Sequence, residues 1–164
     1  MVISDTTILI ALTSAGRLWV LKKLWDSVVL PEAVYLEIMR GLRGRDEVNK
    51  ALDSGWLKVR NVQDRRMVNL LQGDLRGRGE CECIVLAGEL GIDTVLIDDK
   101  KARKIAEKAG IQVVGTLGVL VLAVKEKVLS KDDALGIIQL LAESDFRLSE
   151  AVVKKAVNLI KDID

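Results

Sequence analysis

The sequence predicts an α/β fold in which short parallel strands alternate with helices. Three observations support this fold class. Short runs of apolar and β-branched residues recur along the chain, for example at 2–4, 28–30 and 94–97. Such runs, alternating with helical segments, are typical of buried parallel strands. Two of these runs end on an aspartate, Asp5 and Asp98, and a helical pattern begins immediately after each.

Length and composition favour one domain. The chain has 164 residues, 49% of them hydrophobic and 30% charged, which argues for a globular protein rather than a disordered one. We expect a single domain over 1–164, with a core at 1–128 and two C-terminal helices within 129–164. No apolar run reaches the roughly 20 residues of a membrane helix, and the N-terminus lacks a signal-peptide layout. We therefore expect a cytoplasmic protein with no membrane partner.

The residue types restrict the possible chemistry. The chain contains no histidine, which excludes Ser-His-Asp triads and histidine-ligated zinc. Its two cysteines, Cys81 and Cys83, point to different faces of a predicted helix, which suits neither a disulfide nor a zinc site. The formal net charge is +1, so any nucleic-acid surface must be a local patch. Chemistry must rest on carboxylates, hydroxyls, lysines and a metal ion.

The first half of the chain divides into strands and helices by its periodicity. Pro31 falls where a helix prefers proline, in the first turn, so a helix should follow the strand at 28–30. Residues 56–62 alternate with period 2, which predicts an edge strand. The predicted helices of this half are approximately 6–15, 18–24, a segment starting at Pro31, 47–52 and 64–71.

The second half follows a loop rich in glycine and arginine at 73–79. Ser130 and Ser149 precede two amphipathic segments and are preferred N-cap residues. The segment 115–125 is strongly apolar, which favours a core helix or a dimer surface over a membrane-bound helix. The predicted strands are 94–97 and 113–114, and the predicted helices are 79–90, one starting at 100, 115–125, 131–143 and 150–162.

Four acids stand at strand ends or helix starts: Asp5, Glu37, Glu80 and Asp98. Each has a simpler explanation: Asp5 suits an N-cap, Glu37 a solvated helix edge, and Glu80 the first turn of a helix. Their joint arrangement favours a divalent-metal site, because carboxylates gathered without a basic partner need a cation. Glu82 lies about 200° around the helix axis from Glu80, so Glu80 is the better candidate ligand.

Basic residues occur in two flexible loops and at one helix start. These candidates are Arg43 and Arg45, Arg76 and Arg78, and Lys100. Such residues are normally solvated surface. Beside a carboxylate cluster they could instead hold the phosphates of a nucleic acid, so we treat them as weaker candidates for RNA-backbone contacts.

The order of the motifs resembles the PIN-domain family. The resemblance is carried by VISDTTILIAL at the start, then LPEAVYLEI, GECECIVLA, LIDDKKARKIA and VGTLGVL. These motifs extend to about Val128, and RLS at 147–149 also fits a branch of small prokaryotic proteins grouped with the VapC-type toxins. Each motif alone is weak, whereas five in the same order make the resemblance specific.

The resemblance implies a three-layer α/β/α sandwich with a central parallel sheet and a metal-dependent ribonuclease site. By motif position, the four catalytic acids are Asp5, Glu37, Glu80 and Asp98. Asp5, Glu80 and Asp98 are the implied ligands of Mg²⁺ or Mn²⁺, and Asp99 could substitute for Asp98 or hold a metal-bound water. Thr6 falls where the family often has a hydroxyl residue near the metal, and the resemblance makes it a candidate nucleic-acid contact. Many members carry Asp at the third position, so Glu80 leaves open whether one or two ions bind.

The implied reaction is metal-assisted, in-line hydrolysis of an RNA phosphodiester bond, which leaves a 5′-phosphate and a 3′-hydroxyl. The implied partners are RNA, an antitoxin protein and a second copy of the chain in a homodimer. One alternative is a phosphatase of the haloacid dehalogenase type, which needs a second Asp where this chain has Thr7. Another is a PIN-fold interaction module that binds a protein or RNA with weak or no catalysis.

Overall fold

A computed structural model describes residues 1–164, and its centre is one five-stranded sheet in which every strand pair is parallel. The strands are short, and those in the middle are fully buried, as expected where helices cover both faces. The strands are β1 (Val2–Ser4), β2 (Val28–Pro31), β3 (Leu57–Arg60), β4 (Thr94–Leu96) and β5 (Gln112–Val114).

β1 lies in the middle of the sheet, whose strand order is β3-β2-β1-β4-β5. After β1 the chain adds β2 and β3 on one side, then crosses back and adds β4 and β5 on the other. Ile3 aligns with Val95 across the β1–β4 pair. At such a reversal the connecting segments leave on opposite faces of the sheet, which opens a crevice at the carboxyl ends of the two strands. The chain reaches this crevice directly after β1 and again after β4.

Helices fill both faces of the sheet and confirm the predicted α/β/α sandwich. On one face α6 packs across β1, β2 and β4, with α5 and α7 beside it, while α1, α2 and α8 belong to the other layer. The helices are α1 (Thr6–Ser14), α2 (Trp19–Trp25), α3 (Glu32–Arg40), α4 (Arg45–Asp53), α5 (Arg65–Gln72), α6 (Arg78–Leu90), α7 (Lys100–Lys108), α8 (Thr116–Lys125), α9 (Lys131–Ala142) and α10 (Glu150–Lys161).

The predicted elements are all present, with small differences at their ends. The edge strand β3 spans 57–60 rather than 56–62, and Pro31 is the N-cap of α3 rather than a residue of its first turn. The loop between α3 and α4 ends at Gly44, whose φ is +77°. A Cβ atom at Gly44 would lie 2.8 Å from the hydroxyl oxygen of Thr13, so both the backbone angle and the space favour glycine.

The two C-terminal helices join the core of the sandwich. α9 and α10 pack against each other and against α8, and one hydrophobic core extends from Val2 to Ile160. Ser130 and Ser149 cap these helices, as predicted, by accepting the N–H of Asp133 and Val152. The apolar helix α8 buries most of its side chains in this core. No helix combines the length and the apolar character needed to cross a bilayer.

The fold predicts that α10 unfolds together with the sheet. Ile160→Ala removes a fully buried side chain and should lower the free energy of unfolding by about 2–5 kcal/mol, or about 5–15 °C in Tm. Leu159→Ala is the matched control, since Leu159 is 46% exposed, and should change Tm little. Calorimetry would show one transition in each variant. An early, separate transition in Ile160→Ala would contradict a shared core.

Candidate active site

Asp5 lies directly after β1, at the crevice between β1 and β4. Its backbone N–H donates to the carbonyl of Leu96 at 3.0 Å, which continues the β1–β4 pairing. One oxygen of its side chain, Oδ1, accepts the N–H of Ile8 at 3.1 Å and so caps α1. The residue is only 2% exposed. Asp5 is therefore both the predicted N-cap and a buried carboxylate at the sheet edge.

Asp98 lies two residues beyond β4 and is held by the start of α8. Oδ1 accepts the backbone N–H of Thr116 at 2.8 Å, and Oδ2 accepts the hydroxyl of Thr116 at 2.6 Å. A Cβ atom at Gly115 would lie 2.7 Å from Oδ1, so the glycine leaves the space that the carboxylate fills. Both oxygens of Asp98 are thus bound at the N-terminal end of α8, where the unpaired N–H groups of a helix attract a carboxylate.

Glu80 lies in the first turn of α6 and folds back over Gly77. A Cβ atom at Gly77 would lie 1.7 Å from Oε2 of Glu80, so only glycine permits this position. The Glu80 side chain lines a cleft of about 290 Å³ that also reaches Asp99. The other residues of this cleft, which we call the Glu80 cleft, are Asp74, Leu75, Arg76, Gly77 and Lys101.

Glu37 lies on the exposed side of α3 and reaches the start of α1. The hydroxyl of Thr6 donates to Oε2 of Glu37 at 2.7 Å. Gly79, next to Glu80, is close enough that a Cβ atom there would lie 3.6 Å from the same oxygen. Thr6, Glu37 and the start of α6 therefore meet, although they are distant along the chain.

The electrostatics show that these acids share one region. Burial raises the pKa of Asp5 well above its ordinary value, and the charges of Asp98 and Glu80 raise it further. The N–H groups of Ile8 and Asp98 act in the opposite direction. Burial also raises the pKa of Glu80, with smaller contributions from Asp99 and Glu37. None of these acids forms an ion pair with a lysine or arginine.

The donor set fits a hard divalent cation. Carboxylate oxygens without a basic partner are the ligands that Mg²⁺ and Mn²⁺ favour, and Mg²⁺ needs only one or two of them because it retains waters. As the side chains stand, no three acidic or cysteine groups form a complete ligand set. Asp5 and Asp98 are the residues best placed to hold an ion, with Glu80 able to turn away from Gly77.

Asp99 and Glu82 differ from these acids in what they contact. Oδ1 of Asp99 caps α7 by accepting the N–H groups of Lys101 and Ala102, and the residue also lines the Glu80 cleft. Glu82 is 1% exposed and accepts from Arg65, Arg78 and the N–H of Ala33. It joins α3, α5 and α6, and lies apart from the Glu80 side chain, in agreement with the predicted helix geometry.

The five predicted RNA-contacting cations have unlike surroundings. Arg76 is exposed and lines the Glu80 cleft, and Lys100 is exposed at the start of α7. Arg78 donates to Glu82, and Arg45 donates to the carbonyls of Met39 and Gly41 at the end of α3. Arg78 and Arg45 are thus engaged with the protein itself. Arg43 pairs with Asp145, close to Thr6 and Glu37.

The two cysteines, Cys81 and Cys83, are free and buried. Burial raises the pKa of Cys81 to about 11, with the charge of Glu80 adding to the effect. Burial raises the pKa of Cys83 as well, and the charges of Asp5 and Glu80 contribute. Both thiols therefore stay protonated at neutral pH and are poor ligands or nucleophiles.

Three residues at the site were not predicted from the sequence. Thr116 holds Asp98 by two hydrogen bonds. Lys101, rather than its neighbour Lys100, lines the Glu80 cleft, and its ammonium donates to the carbonyl of Asp74 at 2.7 Å. Asp145 pairs with Arg43 from 102 residues away. A helix-start threonine after a strand was a usable signal for Thr116, whereas the other two contacts depend on the tertiary fold.

A family model described as a PIN domain matches residues 1–162. No curated protein and no solved structure matches the chain.

The burial of Asp5 predicts a pH-dependent stability in the absence of metal. Its folded-state pKa lies above the unfolded value of about 4. The free energy of unfolding should therefore fall as pH rises from about 4 through the raised pKa. Asp5→Asn keeps an N-cap but removes the charge. In EDTA the Tm of this variant should equal that of the wild type near pH 4 and exceed it near pH 7. Each kcal/mol gained in the free energy of unfolding corresponds to about 2–4 °C in Tm.

Thermal unfolding followed by circular dichroism across this pH range measures the effect. Added Mn²⁺ should stabilise the wild type more than Asp5→Asn, because only the wild type retains the full set of carboxylates. Parallel stability curves for the two proteins in EDTA would show that the charge of Asp5 imposes no penalty on the fold.

Substitutions of Glu80 and Glu82 can be compared to distinguish a candidate site residue from a residue that stabilises the fold. Glu82→Gln weakens hydrogen bonds to two arginines and to the N–H of Ala33. It should lower the free energy of unfolding by about 1–3 kcal/mol. Glu80→Gln should leave stability unchanged or raise it, because the pKa of Glu80 is raised in the folded state. Urea denaturation measures the free energy of unfolding of both variants. An equal decrease in the two would argue against a structural role that belongs to Glu82 alone.

Proposed function

This chain belongs to the PIN-domain family, a family of nuclease-type domains, and on that premise we propose that it is a metal-dependent ribonuclease. The proposed reaction is hydrolysis of an RNA phosphodiester bond with Mg²⁺ or Mn²⁺ as cofactor. The observation that carries the proposal is the meeting of Asp5 and Asp98 at the reversal between β1 and β4, with Glu80 and Glu37 beside them.

The charge of this region supports a nuclease over a phosphate-binding module without metal. The charges of Asp98 and Glu80 raise the pKa of Asp5, and the phosphates of a polyanion would be repelled by these three acids unless a cation bound first. Asp5 and Asp98 would hold that ion, and Glu80 or Asp99 would complete its surroundings. When bound, a divalent ion supplies Lewis-acid polarisation of a phosphate oxygen and makes water more acidic.

The residues around the carboxylates would orient the acids, accept a proton and bind the phosphate. The hydroxyl of Thr6 donates to Oε2 of Glu37, which orients that carboxylate and leaves Oε1 free to accept a proton from an attacking water. Thr116 fixes both oxygens of Asp98 and so sets the direction of its lone pairs. Arg76 and Lys101 line the Glu80 cleft, where they could neutralise the phosphate of a bound RNA.

The proposal extends to the biological setting that the motif order suggests. Since the motifs resemble those of the VapC-type branch, the chain would be the toxin of a toxin–antitoxin pair and would act as a homodimer. The protein partner would then be an antitoxin, and the target a cellular RNA. A weakly catalytic interaction module is the alternative outcome, and it would bind RNA or protein without turnover.

Removal of the central carboxylates should abolish cleavage while preserving the fold. Asp5→Asn and Asp98→Asn should lower kcat/KM for Mn²⁺-dependent cleavage of RNA by more than the about 10–100-fold typical of an outer-shell partner. Thr116→Val, which removes only the hydroxyl donor to Asp98, should fall within that range. Asp133→Asn, a change at an exposed acid on α9, is the control and should retain full activity.

The assay uses purified protein and a labelled RNA, with EDTA and Mn²⁺ compared for every variant. Expression in a bacterial host gives a second measurement, since the wild type should arrest growth and Asp98→Asn should not. Full activity in both Asp5→Asn and Asp98→Asn would refute the assignment, and folded wild type without activity would favour the interaction module.

A further inference from the structure

A second cleft, of about 230 Å³, is lined in part by Glu37 and shares no lining residue with the Glu80 cleft. We call it the Phe146 cleft. It begins at Thr6 and Glu37, the pair joined by a hydrogen bond at the proposed site. Its lining residues come from α1, α3, the loop after α3 and the loop between α9 and α10, and they are Thr6, Thr7, Ile10, Glu37, Arg43, Asp145 and Phe146.

Arg43 and Asp145 form an ion pair across this cleft. Nη1 of Arg43 donates to both carboxylate oxygens, at 2.8 and 2.9 Å. The two side chains are 61% and 67% exposed, and ion pairs this exposed contribute little to stability and exchange readily. A carboxylate and a phosphate present similar oxygen pairs to a guanidinium. Asp145 therefore occupies the position on Arg43 that a phosphate of bound RNA would take.

Phe146 adds an aromatic surface to the same cleft. It is the only phenylalanine in the chain, and it is half-buried, since it packs against the hydrophobic core and also lines the cleft beside Asp145. Nucleic-acid bases stack on such rings, and the stacking tolerates any base. A base can reach a protein ring only when it is unpaired, so a stacking site selects single-stranded RNA.

We propose that the Phe146 cleft binds one unpaired nucleotide of the RNA substrate next to the bond that is cut. Arg43 holds its phosphate, Phe146 stacks on its base, and Asp145 is a resident competitor that the phosphate displaces. The proposal rests on the proposed ribonuclease function and adds to it a nucleotide-binding cleft, formed by Arg43, Asp145 and Phe146. It also separates Arg43 from Arg45 and Arg78, whose guanidinium groups are engaged with the protein.

The first test measures binding of a fluorescently labelled single-stranded RNA oligonucleotide in Mg²⁺. All variants carry Asp98→Asn so that the probe stays intact. Phe146→Ala should weaken binding by about 5- to 100-fold, the range for loss of one stacked base. Arg43→Gln should also weaken binding. It should make the slope of log K against log[salt] shallower by about the amount expected for the loss of one phosphate contact. Leu140→Ala, at an exposed apolar residue of α9, is the control for Phe146→Ala.

The second test isolates the role of Asp145. Asp145→Asn should strengthen binding by about 1.5- to 5-fold, as expected for removing an exposed competitor. Asp133→Asn also removes an exposed carboxylate that pairs with an arginine, Arg17, and should change binding much less. In the Arg43→Gln background the gain from Asp145→Asn should disappear, because its partner is absent. A gain that persists without Arg43 would mean a general charge effect and would overturn the competitor role.

The same oligonucleotide annealed into a duplex tests strandedness. Duplex RNA should bind more weakly than the single strand, and Phe146→Ala should narrow that difference. Equal binding of Phe146→Ala, Arg43→Gln and the control variants would overturn the nucleotide site while leaving ribonuclease activity in place. If the wild type neither binds nor cuts RNA, both proposals fail, and thermal unfolding of each variant shows that a loss is not caused by misfolding.

Discussion

The buried carboxylate of Asp5 is the constraint on which the rest of the site depends. It is almost inaccessible to water, and the nearby charges of Asp98 and Glu80 disfavour its ionised form. Two backbone N–H groups, from Ile8 and Asp98, compensate in part. A folded protein tolerates such an arrangement when a bound cation supplies the missing charge. The arrangement follows from the sheet, because the strand order brings the end of β1 beside the end of β4.

The helix starts serve the fold and the site together. Asp5 caps α1, Glu80 lies in the first turn of α6, and Asp98 accepts from the first residue of α8. In each case the unsatisfied N–H groups and the positive end of the helix dipole favour a nearby carboxylate. The same residues thus meet the local preference of a helix start and would meet the requirement of the proposed metal site. This is why each acid, taken alone, had an ordinary structural explanation.

The residues around the carboxylates have separate roles, in which glycines leave space for the acids and ion pairs join the helices. Gly77 and Gly115 leave the space into which Glu80 and Asp98 fold. Glu82, two residues from Glu80, instead joins three helices and contributes to stability. Two clefts flank the acids, one with Arg76 and Lys101, the other with Arg43 and Phe146.

Patterns along the chain were enough to determine the elements, the parallel sheet and the acids at its edge. Apolar periodicity and capping residues act over a few neighbours, so they can be read from the sequence directly, as at Asp5, Ser130 and Ser149. Only the tertiary structure decided which cations face the site, since Lys101 and Lys100 are equivalent in the sequence but only Lys101 lines the Glu80 cleft. It also decided the pairing of Arg43 with Asp145, because a contact across 102 residues depends on how the helices pack and on no local pattern.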